Sequence, residues 1–76
     1  MHNRISIHPG IRFGKPCVAG TRITVENVLE LVREGIDFDV IIRDFYPDLT
    51  HQDIKACVQY ALDVINVENI NYSMAS

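Results

Sequence analysis

Six apolar residues, Ile54, Cys57, Val58, Ala61, Leu62 and Ile65, recur at i, i+3, i+4, i+7, i+8 and i+11. A helix of 3.6 residues per turn gathers them on one stripe, so the segment is predicted to be an amphipathic helix that must bury that stripe against the rest of the chain. Its start is marked too. Thr50 with Asp53 three residues later is a variant of the capping box, in which each side chain accepts the other residue's backbone N–H, and Leu49 and Ile54 hold the staple positions. The period lapses after Asn66, where "VENINYSMAS" gains asparagine and serine. The expectation is a helix over about residues 51–66, then a flexible tail over 67–76 or a segment that a partner orders through Val67, Ile70, Tyr72 and Met74.

The upstream sequence supplies two further helices. Thr24 is an N-cap with Ile23 and Val28 as its staple, and Val25, Val28, Leu29 and Val32 form a stripe opposite Glu26, Glu30, Arg33 and Glu34. Gly35 offers the left-handed residue that ends this helix, with Ile36 folding back onto Leu31. Asp37 is expected to cap a second helix over about 38–45, carrying Phe38, Ile41, Ile42 and Phe45, which ends because Pro47 forces Tyr46 out of the helical region. Leu29, Ile41, Ile54, Val58 and Leu62 are the expected core. Before the helices, Ile5 and Ile7 alternate with Arg4, Ser6 and His8 as a short strand over 4–8, and Cys17-Val18 can form a second. Between them and the first helix, Gly14 and Gly20 permit tight turns, Pro16 stiffens the stretch and Thr21 can tie the turn with its hydroxyl. The fold class expected is mainly α, a trihelical helix-turn-helix bundle with a short N-terminal β-strand region, as one domain over residues 1–66.

A chain of 76 residues is near the lower limit for folding alone, which predicts a homodimer or a bound partner. Ile5 and Ile7, on an open strand edge, are the candidate dimer contacts. No apolar run approaches the roughly 18 residues that cross a bilayer, and "MHNRISIHPG" lacks the apolar centre of a signal peptide. A cytoplasmic protein without a membrane partner is expected. Cys17 and Cys57, forty positions apart in apolar contexts, read as core thiols, and neither they nor the histidines have metal-ligand spacing. Ser6, Thr21 and Ser73 lack an evident base, and Asp37, Asp39 and Asp44 read as a cap and the wet face of the second helix. No catalytic residue, metal or cofactor is expected, and the chain reads as no enzyme.

The net charge of −3 conceals an asymmetry. Arg4, Arg12, Lys15 and Arg22 lie in the first 25 residues, which hold no acid, while all ten acids follow. Such a basic arm on an acidic body fits an anionic partner for the arm, although four cations also serve as ordinary solvated side chains. In a helix-turn-helix frame Thr50, His51, Gln52 and Lys55 would face DNA, with Arg12, Lys15 and Arg22 as candidate phosphate contacts. The alternative for the third helix is an exposed, capped terminus with no ligand.

Three spaced segments, "GKPCVAGTRI" at 14–23, "REGID" between the first two helices and "YPDLTHQDIKACVQYAL" at 46–62, occur in an order that resembles the antitoxin-like domain-of-unknown-function family 433. The resemblance covers residues 5 to about 65. Members often show a glycine pair before the Lys-Pro, whereas here Phe13 precedes Gly14. The resemblance implies a homeodomain-like trihelical fold and a VapB-like antitoxin that binds a PIN-like ribonuclease toxin, often encoded by a neighbouring gene, with binding to its own promoter DNA as a second role. The rival reading is a small dimeric protein-binding or oligomerisation module with no DNA role.

Overall fold

A computed structural model describes the backbone of residues 3–75 and the side chains of residues 3–66. The order is β1 (Ile5–Ser6), β2 (Cys17–Val18), α1 (Val25–Arg33), α2 (Phe38–Val40), which passes directly into a π-helical turn over Ile41–Phe45, and α3 (His51–Ala75). The described chain is mainly helical, three helices and one two-stranded sheet. β1 and β2 pair antiparallel, Ile5 with Val18 and Ser6 with Cys17. Residues 16–18 are tied on their other side to the entry of α1, Val18 N–H donating to Ile23 O at 2.9 Å and Val25 N–H to Pro16 O at 2.9 Å. The strand stops at Ser6, short of the expected 4–8, because the chain turns at once, Ile11 N–H reaching His8 O at 3.0 Å.

Each helix end follows the residue chemistry that marks it. Thr24 Oγ1 accepts from Asn27 N–H at 3.1 Å. α1 closes in a Schellman motif about Gly35 (φ 81°), with Gly35 N–H on Val32 O at 3.0 Å and Ile36 N–H on Leu31 O at 3.2 Å. Asp37 stands at the head of α2 in an extended conformation, but its side chain makes no capping bond; only its carbonyl takes part, accepting Ile41 N–H at 2.9 Å. The helix widens before Pro47, where Tyr46 N–H reaches back five residues to Ile41 O at 2.8 Å.

The core gathers Val18, Val25, Val28, Ile41, Leu49, Ile54 and Cys57, with Ile5, Leu29 and Tyr60 among the half-buried residues around it. Each aliphatic side chain fully removed from water contributes about 1.5–3 kcal/mol, and Val28, Ile41 and Ile54 are so removed. Both cysteines are free and buried, as expected of core thiols. Leu62 corrects the sequence reading, being 48% exposed. Length explains it. The nine residues of α1 span about 14 Å and the twenty-five of α3 about 38 Å, so the stripe of α3 continues after the packed partners have ended. α3 is also longer than its period predicts, its backbone staying helical to Ala75, since the sequence after Asn66 holds no glycine or proline to break it. The side chains of Val67, Ile70, Tyr72 and Met74 lie outside the described residues.

Candidate functional site

At the head of α3 the predicted capping box is complete and has an additional member. Asp53 N–H donates to Thr50 Oγ1 at 3.2 Å, Thr50 N–H to Asp53 Oδ2 at 2.9 Å, and the Arg4 guanidinium, brought over by β1, reaches Asp53 Oδ1 at 2.9 Å. Burial alone would push the Asp53 carboxyl up, but the Thr50 N–H and Arg4 outweigh it and hold the carboxyl below its ordinary range. The next residue, His51, meets Asp39 with Nε2–Oδ1 2.6 Å and lies edge-on to Phe38 at 5.8 Å between ring centres. Of the four candidate base readers, Thr50 and His51 are therefore engaged within the chain. Gln52 and Lys55 are exposed and form no ion pair or side-chain hydrogen bond among the described residues.

The basic arm divides in the same way. Arg4 is taken by Asp53, and Lys15 Nζ lies 3.2 Å from Glu26 Oε1 across an exposed surface. Arg12 and Arg22 are exposed and without an ion pair among the described residues. Arg22 borders a small hollow with Ser6, His8 and Thr21, where the Thr21 hydroxyl donates to Val18 O at 2.8 Å and accepts Ile23 N–H at 3.0 Å, tying the turn as the sequence suggests. Of the candidate dimer contacts, Ile5 packs onto its own core while Ile7 is exposed.

Phe13 is the functional candidate that the residue pattern did not single out. Arg12, Phe13 and Gly14 take φ values of 50°, 59° and 79°, three left-handed residues in a row, locked by Gly14 N–H on Ile11 O at 3.1 Å and Lys15 N–H on Arg12 O at 3.1 Å. For a residue with a side chain this conformation costs about 1–2 kcal/mol. Phe13 is nonetheless 99% exposed. The two turn hydrogen bonds hold the backbone, but among the described residues nothing covers the ring. The signal in the sequence was the aromatic residue standing beside Gly14 in a turn that glycine would fill without strain.

A groove of roughly 650 Å³ opens beside this turn, between Lys15-Pro16, α1 and the middle of α3. Its floor is apolar, formed by Leu29, Ala61, Val64 and Ile65 with Tyr60, and its rim carries Lys15, Glu26, Glu30 and Arg33. Val64 and Ile65 stay 42% and 50% exposed, facing the open groove rather than packed into the core. Among the described residues no cluster of His, Cys, Asp or Glu is arranged to hold a metal, and no helix is long and apolar enough to cross a membrane. The groove has the chemistry of a surface that receives another apolar surface.

Comparison with known proteins gives two matches. The family described as "Protein of unknown function (DUF433)" matches residues 5–61. The crystal structure of a DUF433 member from Anabaena variabilis superposes with a TM-score of 0.74 at 28% identity, covering 97% of this chain and 70% of that one. No curated protein matches the chain.

Proposed function

The chain belongs to the DUF433 family of proteins of unknown function, and from its surface we propose that it is an antitoxin-like protein-binding module without catalytic activity, working in the cytoplasm. The partner suggested by the family resemblance is a PIN-like ribonuclease toxin. One observation carries the reading: Leu62, Val64 and Ile65 stand exposed on the overhanging part of α3, beside a groove floored by Leu29 and Ala61. Covering such a patch in a complex gains about 25 cal/mol per Å² of apolar surface, while leaving it wet gains the monomer nothing. A toxin would be neutralised by having this helix laid against it, an amphipathic stripe entering a groove or covering a cleft.

Promoter binding is the second role. The arrangement of α2, a turn and α3 supports a homeodomain-like helix-turn-helix reading, and Gln52 and Lys55 stand exposed at the head of α3 with Arg12 and Arg22 on the arm. This set is small, and within it Gln52 is the unengaged side chain able to pair with an adenine edge. Any DNA contact is therefore carried mainly by phosphates.

The test is to produce the chain together with the ribonuclease of the neighbouring gene and measure RNA cleavage. The reading expects inhibition by the wild type, loss of inhibition in Val64→Arg, and full inhibition by Gln52→Ala. A wild-type chain that neither binds nor inhibits the ribonuclease overturns it. A gel shift with the promoter fragment tests the DNA role separately, Lys55→Ala weakening every sequence alike and Gln52→Ala altering sequence preference.

A further inference from the structure

We propose that the groove beside α1 and α3 receives Phe13 of a second copy of this chain, each protomer giving its ring to the other about a two-fold axis. The inference rests on the groove being a docking surface, as above, and names an occupant that the chain itself supplies.

Three features point to a second copy. The first is position. Phe13 precedes Lys15, a groove-lining residue, by two residues, so the projecting ring and the groove mouth lie within about 7 Å of backbone of one another. A knob and a hole side by side on one surface are self-complementary under a two-fold rotation, which satisfies both at once and closes the assembly as a dimer. The protomer cannot fill its own groove with this ring. The turn is fixed by the two backbone hydrogen bonds across Arg12–Gly14 and holds the ring away from the rest of the chain, at 99% exposure.

The second feature is chemistry. The floor, with Leu29, Tyr60, Ala61 and Val64, is apolar and includes an aromatic residue, and a volume of roughly 650 Å³ exceeds what a phenyl ring needs. Charge agrees with shape. Arg12, next to the ring, has no acidic partner among the described residues, and Glu30 on the rim has no cationic one, so the exchange that seats Phe13 also offers a salt bridge in each direction.

The third is rigidity. A ring on a turn that already holds its conformation loses little freedom on docking, which is how an aromatic anchor becomes a dominant contact in a small interface. Because the same groove would take a heterologous partner, the homodimer is a resting form that the partner must displace.

Sedimentation equilibrium on the protein alone tests this. The wild type is expected to dimerise at micromolar to tens of micromolar concentration. Phe13→Gly suits the left-handed backbone, so it is expected to fold at least as stably as the wild type while its dimer dissociation constant rises by about 100-fold or more, two anchors being lost per dimer. Val64→Arg blocks the groove at an exposed position and is expected to be monomeric with unchanged helicity. Mixing the two variants restores one of the two exchanges, Phe13 of one entering the intact groove of the other, and heterodimers appear at concentrations where each variant alone is monomeric. The proposal is overturned by a wild type that stays monomeric at hundreds of micromolar, which leaves the groove to a different protein, by a Phe13→Gly variant that dimerises normally or unfolds, or by variants that fail to complement. These results are independent of ribonuclease inhibition, so the dimer and the toxin reading can fail separately.

Discussion

In the first turns of α3, Thr50, His51 and Asp53 are each held by another residue of the same chain, and Ile54 and Cys57 beneath them are sealed from water. Two turns later Leu62 and Ile65 of the same apolar repeat are presented to solvent, with Val64 exposed between them. One periodic stripe thus serves two purposes, and the difference is set by what lies opposite it. Where β1, α1 and α2 face the helix, the stripe is core. Beyond Ala61 it lies open to solvent.

Substitutions separate the two halves by size of effect. Ile54→Ala should destabilise the fold by about 2–5 kcal/mol in urea unfolding, enough to threaten a domain of this size. Asp53→Ala removes the cap and the Arg4 tie together and should cost about 1–2 kcal/mol. The carboxyl is held low in the folded state, so its contribution is complete above roughly pH 4, the unfolded carboxyl value, and is lost as the pH falls through the lower folded value. Acid unfolding followed by circular dichroism should therefore lose part of its pH dependence in this variant.

Cys57 sharpens the contrast from the alkaline side. Burial, with the Asp53 charge adding to it, pushes its thiol up to about 11. The unfolded thiol ionises near pH 8.5, so between these values the unfolded state binds fewer protons and stability should fall as pH rises. Alkylation of Cys57 at pH 8 should follow unfolding, and fast labelling of the native protein would break the picture of a sealed first half. Smaller still, His51→Ala and Arg4→Ala remove partly exposed pairs and should change stability by less than about 1 kcal/mol each. Leu62→Ala, although on the same repeat as Ile54, should stay within about 0.5 kcal/mol of the wild type.

The Thr24 cap, the glycine stop, the capping box and the upper half of the core were legible because local rules govern them: a hydroxyl three residues from an N–H, a left-handed glycine, a 3.6-residue period; the cap expected of the Asp37 side chain did not form. The exposure of Leu62 was not legible, since it depends on where a second helix ends, and the period of α3 carries no information about the length of α1. The ties that withdraw Lys15 and His51 from the candidate DNA set, and Arg4 from the basic arm, were hidden for the same reason. Each joins residues eleven or more positions apart, so side chains that look free in the sequence find partners only when the elements pack. Phe13 was visible as an aromatic beside Gly14, but its left-handed conformation and its wet ring belong to the folded turn.

The central claim is the proposal that the exposed stretch of α3 from Leu62 to Ile65 binds while its first turns fold, and Val64→Arg tests it most directly when stability and binding are measured on the same sample. The account predicts a urea midpoint within experimental error of the wild type, together with a loss of at least about tenfold in affinity for the neighbouring ribonuclease, or about 1.4 kcal/mol. A Val64→Arg protein that unfolds early, or one that binds and inhibits the ribonuclease like the wild type, would contradict it.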